Sequence, residues 1–289
     1  MRHSGMTEFL ARARATVGKG PVALIMAEDE VEVESTVRHH QRAGFPVLVL
    51  LAPPEISLDP AVEDGIHRVD HDVHVEGALI TAVNAMIEAI PDVWLFYGYN
   101  AEYLFHPFCE TRNVLEMLAF HTEERRDSLL TYVIDLYAGD LARSPNAVSL
   151  GDAHLDKSGY YALGRPDPAN HNYPRERQLN FFGGLRWRFE EHISPQRRKI
   201  DRISLFRTKP GLTLRPDFTL SDEEMNTYAC PWHNNITTVL ASFRTAKALR
   251  SNPGSRFDIQ DFRWRNSTPF EWKSQQLMDL GLMEPGQWF

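Results

Sequence analysis

The sequence predicts an α/β fold: a mostly parallel sheet flanked by helices, with a loop-rich and helical C-terminal extension. Three observations carry that prediction. Continuous apolar runs recur through the first half, as VALIM (22–26), FPVLVLL (45–51), VWLFYGY (93–99) and SLLTYVIDLY (128–137). Segments of helical character lie between them, and strands without polar alternation are those covered on both faces of a parallel sheet. Pro, Gly, Asn and Tyr then concentrate between about residues 140 and 180, where the alternation of strand and helix stops.

Each element has its own reason. Thr7 to Val17 reads as a first helix. After the strand at 22–26, AEDEVEVESTVRHHQRAG begins acidic and ends basic, which complements a helix dipole; Gly44 is its stop. Pro53 and Pro54 close the strand at 45–51, and Ile66 to Val75 reads as another short strand. GALITAVNAMIEAI places Leu79, Val83, Met86 and Ile90 at helical spacing before Pro91. TRNVLEMLAFHTEERR (111–126) is a further helix. NFFGGLRWRF and RISLFR read as strands around a basic segment, and Ser221 to Leu240 and Phe243 to Arg250 as helical. The tail from Phe257 to Phe289 carries Trp264, Trp272 and Trp288 and is expected to pack on the domain or on a neighbouring subunit.

Composition narrows the function classes. The 289 residues suffice for one large domain or two small ones, and 43% hydrophobic content is ordinary for a globular chain. No run approaches the ~20 apolar residues of a membrane span, and the basic N-terminus lacks the apolar core of a secretory signal. Cys109 and Cys230 are too few and too far apart for a disulfide framework or a zinc site. The expectation is a cytoplasmic protein with reduced thiols. A net charge of −8 argues against general nucleic-acid binding. Residues 175–209 nevertheless hold ten Lys/Arg against four acids, a local +6. That field suits a phosphorylated ligand or, equally, a solvated face paired with nearby acids.

Several pieces taken in order resemble a bacterial family 2 glycosyltransferase of the compact GT-A subgroup. They are VALIMAEDEVEVESTVRHHQRAGFPVLVLL, WLFYGYNAEYLFHP, FFGGLRWRF…KIDRISLFR and HNNITTVLASFR. Ala27-Glu28-Asp29-Glu30 stands where that subgroup has an Asn-Glu pair. Arg38-His39-His40 matches the His-His or His-Arg near the end of the subgroup's first helix, and Gly44-Phe45 the glycine and hydrophobic residue before its second strand. Tyr99-Asn100-Ala101-Glu102-Tyr103-Leu104 stands in the place of Asp-x-Asp-Glu-Phe-Leu. Gly183-Gly184-Leu185-Arg186 matches a Gly-Gly-x-Arg stretch, and His233 a late histidine. The resemblance covers roughly residues 20–250. It implies a GT-A-like, Rossmann-like nucleotide-sugar-binding domain, taken as 1–250; it does not cover the tail, 251–289, which is expected to pack on that domain or on a partner subunit.

The resemblance also implies site roles. In GT-A enzymes the Asp-x-Asp carboxylates hold Mg²⁺ or Mn²⁺ against the donor diphosphate. Here Tyr99 and Ala101 replace both aspartates, and the candidate ligands are Glu102, the Asn100 amide and His233. The rival reading of Asn100-Ala101-Glu102 is a solvated strand end. Arg186, Arg188 and Arg207 are candidates to neutralise the diphosphate without metal, together with Arg198 and Arg202, because guanidinium binds phosphate bidentately. Gly183 and Gly184 would let backbone approach a ligand. Glu28 and Asp29 are placed to contact ribose or base. Asp222, Glu223 and Asp135 are the candidate bases for an acceptor hydroxyl, against a plain capping box at Ser221-x-x-Glu224.

The leading expectation is therefore sugar transfer from a nucleotide donor to a glycan or similar acceptor, with weak or no metal dependence. The alternative is an inactive GT-A-like protein that binds a glycan or a partner enzyme. A third reading takes His67, His71 and His74, in HRVDHDVH, as the centre of a metal-dependent hydrolase; the alternation there also fits a surface strand with its polar residues on one face.

Overall fold

The computed structural model describes residues 1–288. Along the chain the elements are β1 (Arg2–His3), α1 (Met6–Leu10), α2 (Ala13–Val17), β2 (Val22–Met26), α3 (Val33–Arg42), β3 (Val47–Ala52), α4 (Pro60–Glu63), β4 (His67–Asp70), α5 (Ala78–Ala89), β5 (Trp94–Tyr99), β6 (Glu102–Phe105) and α6 (Val114–Glu123). Then come β7 (Ser128–Ala138), β8 (Ala153–Asp156), β9 (Tyr161–Asp167), β10 (Tyr173–Phe182), α7 (Gly184–Arg188), β11 (Asp201–Arg207), β12 (Thr237–Ser242), α8 (Arg244–Ser251), β13 (Ser267–Pro269) and α9 (Ser274–Asp279). Two compact units result. The first takes residues 1–104, 111–129 and 203–226, and the second 105–110, 130–202 and 227 onward.

The first unit is the predicted α/β half. Its strands lie in the order β1-β4-β3-β2-β5-β11. The pairs from β1 to β5 are parallel, and β11 runs antiparallel to β5. The chain builds β2, β3 and β4 outward on one side and then returns to lay β5 on the other side of β2. That reversal makes a topological switch between β2 and β5. β2 is buried at every residue, and β3 and β5 at all but their first, as their unbroken apolar runs require. α6 begins with a full capping box, the Asn113 side chain accepting from Glu116 N–H and Glu116 reaching back to Asn113 N–H. Asn84 on α5 clamps the backbone of Leu214, donating to its carbonyl at 3.0 Å and accepting its N–H at 2.7 Å.

The second unit is mixed. β7 pairs in parallel with β12 and antiparallel with β8. β13, from the tail, pairs antiparallel with β8, and β9 and β10 form a separate two-stranded hairpin. Its core gathers Tyr137, Leu141, Leu185, Leu249, Ile259 and Phe262. Residues 251–288 thus fold within this unit, through β13 and through Phe262 in its core; Phe289 lies outside the described residues. Among the described residues no helix is long and apolar enough to cross a membrane.

Several expectations are corrected. The segment 140–180 is not mainly loop: it holds β8, β9 and most of β10; β9 is mostly exposed and β10 is exposed or half-buried at all but Gln178, so neither needs a long apolar run. GGLRWR turns into α7 rather than continuing a strand. Ser221 to Leu240 is no helix; a short 3₁₀ turn at Glu223–Asn226 is followed by β12, where β-branched Thr237, Thr238 and Val239 favour a strand. The first helix breaks into α1 and α2, and α3 starts only at Val33.

Two buried histidines in the first unit set a pH dependence. Burial is the main cause that lowers His40 to about 3 and His121 to about 4. Unfolded, each titrates near the ordinary value of 6.5. Between those values the unfolded chain holds protons the folded chain lacks, so stability falls as pH falls. The loss is about 1.4 kcal/mol per pH unit for each histidine. The expected outcome for His121→Gln is that the stability gap between wild type and variant narrows by about that amount from pH 6 to pH 5. Urea unfolding at the two pH values measures it.

Candidate functional site

In open α/β sheets ligands bind beyond the carboxyl ends of the strands, at the switch point. Here that place lies beyond Met26 of β2 and Tyr99 of β5, which are register partners. Three of the sequence candidates meet there. Asn100 is fully buried and binds the loop after β2 with its whole amide. Its oxygen accepts Glu28 N–H at 2.9 Å. Its nitrogen donates to Asp29 Oδ1 at 2.6 Å, the Val31 carbonyl at 2.8 Å and the Asp29 carbonyl at 3.2 Å. Asp29 Oδ1 also accepts Val31 N–H at 3.0 Å. Glu28 and Asp29 are half-buried and Glu30 is exposed, so the loop presents an acidic rim over an amide-clamped base.

The rest of YNAE is turn machinery. Ala101 takes a left-handed conformation, φ 57°, which a residue with a Cβ adopts at a cost. Its N–H is held by Thr36 Oγ1 at 2.9 Å. Glu102 is fully buried and accepts Tyr99 N–H at 3.0 Å. A divalent cation needs several convergent oxygens with lone pairs to spare. The Asn100 oxygen accepts Glu28 N–H and Glu102 Oε2 accepts Tyr99 N–H, while His233 lies on an exposed loop where its Nδ1 faces the Asn234 carbonyl. No group of three or more His, Cys, Asp or Glu side chains suited to a metal gathers among the described residues. These residues do not fit Mg²⁺ or Mn²⁺ as they stand.

The second unit collects five other candidates. Asp135, on β7, is buried and faces Arg186: Arg186 N–H donates to its Oδ2 at 3.3 Å and the guanidinium lies 3.5 Å from Oδ1. Arg186 also donates to Thr245 Oγ1 at 3.2 Å and the Lys199 carbonyl at 2.6 Å. Burial raises the Asp135 pKa although Arg186 opposes it. Arg188 pairs with buried Asp156 at 3.1 Å and lies over the Trp264 ring. Asp156 further accepts Tyr137 Oη–H at 2.6 Å and Trp264 Nε1–H at 2.7 Å. Gly183 and Gly184 make this packing feasible. A Cβ on Gly184 would stand 3.0 Å from Asp135 Oδ2, and one on Gly183 would stand 2.2 Å from the Tyr160 ring. The close approach they allow is to the protein's own side chains.

The remaining candidates lie elsewhere. Arg207 pairs with Trp94, at the amino end of β5. Six residues separate Trp94 from Asn100, about 20 Å at ~3.3 Å per residue, so the structure separates Arg207 from Glu28 and Asp29. Asp222 lies 3.7 Å from Lys209, and Glu223 pairs with Arg215 at 2.7 Å. The capping box expected at Ser221 is replaced by an Asp222 cap, which accepts Glu224 N–H at 3.1 Å.

Sequence reasoning missed Asp156, Tyr137, Thr245 and Trp264. One signal was present: HLD at 154–156 ends in an aspartate after an apolar residue, as VID does at 133–135.

Asn100→Ala is expected to strip the loop of its clamp and leave Glu28 N–H and the Val31 carbonyl without it. The expected loss is about 3 kcal/mol, from one to two unsatisfied buried groups. Urea unfolding measures it, and proteolysis at residues 28–32 is expected to speed up.

No family model matches the chain, and no curated protein matches its sequence.

Proposed function

We propose that this chain is a glycosyltransferase that takes a sugar from a nucleotide donor, with the nucleoside held at the switch between β2 and β5. The observation that carries the reading is the placement of Glu28 and Asp29. They stand just past the carboxyl end of β2, on a loop that Asn100 holds in one shape. Carboxylates at a switch point accept hydrogen bonds from ribose hydroxyls and base N–H groups. Glu28, Asp29, Glu30 and Glu32 would repel phosphate at the same spot, so this rim suits the nucleoside and not its diphosphate. The ordered motifs of the sequence supply the transfer reaction and the sugar.

Nothing in this reading is routed through a metal, since the Asn100 oxygen and Glu102 Oε2 already accept backbone N–H groups. The base remains among Asp135, Asp222 and Glu223, of which the last two are paired with Lys209 and Arg215. A second reading has one observation in its favour: with Tyr99 and Ala101 in the aspartate places, the turn is built to hold itself together. On that reading the chain binds a nucleotide or glycan without transferring anything.

Calorimetric titration with UDP-, GDP- and dTDP-sugars, each with Mn²⁺ and with EDTA, tests the proposal. The expected result is binding of one nucleotide class in both conditions. Glu28→Gln and Glu28→Ala are expected to weaken it about tenfold, a loss of ~1.4 kcal/mol, with folding unaffected. Hydrolysis or transfer of the donor sugar separates the enzyme from the binding protein. No binding to any nucleotide sugar under either condition overturns both the donor and the site.

A further inference from the structure

We infer that Asp135 and Tyr160 form a binding site for one hydroxyl group of a neutral saccharide, with Tyr160 donating to its oxygen and Asp135 accepting its O–H. The site lies wholly in the second unit. It deepens the transferase reading by placing the acceptor; only that role rests on the reading, and the site itself does not.

Asp135 pairs in register with Ser242, the last residue of β12. It therefore stands where the parallel pairing of β7 and β12 ends, the place at which parallel strands present ligand-binding side chains. Tyr160 directly precedes β9. Gly183 and Gly184 bring the two together. A Cβ on Gly183 would stand 2.2 Å from the Tyr160 ring, and one on Gly184 would stand 3.0 Å from Asp135 Oδ2. Two successive residues without side chains thus seat the phenol ring and the carboxylate.

Each of the two has an oxygen left over. Asp135 is 1% exposed, and its Oδ2 accepts Arg186 N–H at 3.3 Å. Its Oδ1 lies 3.5 Å from the Arg186 guanidinium and is buried with no hydrogen-bond partner among the described residues. The Tyr160 hydroxyl is likewise buried without one. Asp156, by contrast, accepts from Tyr137, Trp264 and Arg188. A buried polar atom left unmatched is costly, and two in one cluster point to a ligand that matches them.

The ligand's class follows from polarity and charge. Burial, with the charges of Asp156 and Asp135, raises the Tyr160 pKa, so the hydroxyl keeps its proton and donates. Asp135 Oδ1 accepts, and a ligand hydroxyl meets both. Asp135 and Asp156 are balanced by Arg186 and Arg188, so neither an anion nor a cation gains a net attraction. Aromatic surface beside the cluster suits the C–H face of a sugar ring. Exposed Gly159 keeps any side chain off two indoles: a Cβ there would stand 3.4 Å from Trp187 and 4.0 Å from Trp264. Trp187 is 43% exposed, and the Tyr160 ring beside Gly159 is half-buried, so the ligand enters past that ring.

The test is saturation-transfer NMR of the purified chain, without nucleotide, against the methyl glycosides of glucose, galactose, mannose, rhamnose and N-acetylglucosamine as both anomers. Saturable binding of at least one is expected. Tyr160→Phe keeps the ring and removes only the unmatched hydroxyl. It is expected to weaken that binding about tenfold or more, while the melting temperature holds or rises. Asp135→Asn is expected to weaken binding as well, and Tyr160→Phe decides alone if that variant does not fold. Tyr161→Phe, one residue along, is expected to bind as wild type does. The inference is overturned if no glycoside binds. It is overturned too if Tyr160→Phe binds as wild type does, which assigns the two oxygens to an ordered water only, or if Tyr160→Phe lowers the melting temperature, which gives the hydroxyl a structural role. Nucleotide-sugar binding that persists through any of these results leaves the donor site standing, so the two readings fail separately.

Discussion

The carboxyl end of the parallel sheet depends on one side chain. Asn100 spends one acceptor and both donors on the loop between β2 and α3, and does so while fully buried. An amide suits this task because it offers both polarities in one plane. A carboxylate there could accept Glu28 N–H but could not donate to the Val31 carbonyl, and it would add a like charge beside Asp29. The clamp fixes where Glu28 and Asp29 emerge, and the left-handed Ala101 fixes where the chain leaves for β6. The acidic rim is pre-set by a neutral residue beneath it.

The second unit solves a different problem. Asp135 and Asp156 are both buried, and each is met by an arginine and by neutral donors. Such pairs contribute little net stability against apolar packing, but losing either partner strands a charge. They specify geometry more than they stabilise it. Gly183 and Gly184 belong to that geometry, because any side chain there would collide with Tyr160 or Asp135.

The alternation of apolar runs made β2, β3, β5 and β7 legible in the sequence, since strands buried on both faces have no choice but to be apolar. The hairpin β9–β10 and the strand β12 were not legible. β9 is exposed through most of its length and carries no apolar run, and β12 is read as helix when apolar periodicity is weighed without its β-branched residues. The site was legible in part. Glu28, Asp29 and Asn100 do converge, because strand ends are predictable from strands. Arg207 does not join them, because an antiparallel β11 carries its last residue to the opposite end of the sheet, and strand direction is invisible to local pattern. Asp156 went unnoticed because its partners, Tyr137 and Trp264, are 19 and 108 residues away.

The charge distribution bears on what the basic segment does. Its excess of Lys and Arg suggests an anion-binding surface when counted along the chain, yet Arg186, Arg188 and Arg198 each face a carboxylate. An arginine shared with a carboxylate neutralises a phosphate only to the extent that the carboxylate gives it up. Asp156 is tied by a tyrosine and a tryptophan as well as Arg188. At Asp135 burial raises the pKa against the pull of Arg186. Arg198 and Glu190 form the most exposed of these three pairs, where solvent screens the attraction. Arg186 is held on three sides, by Asp135, Thr245 Oγ1 and the Lys199 carbonyl, so an anion arriving there would have to compete with all three.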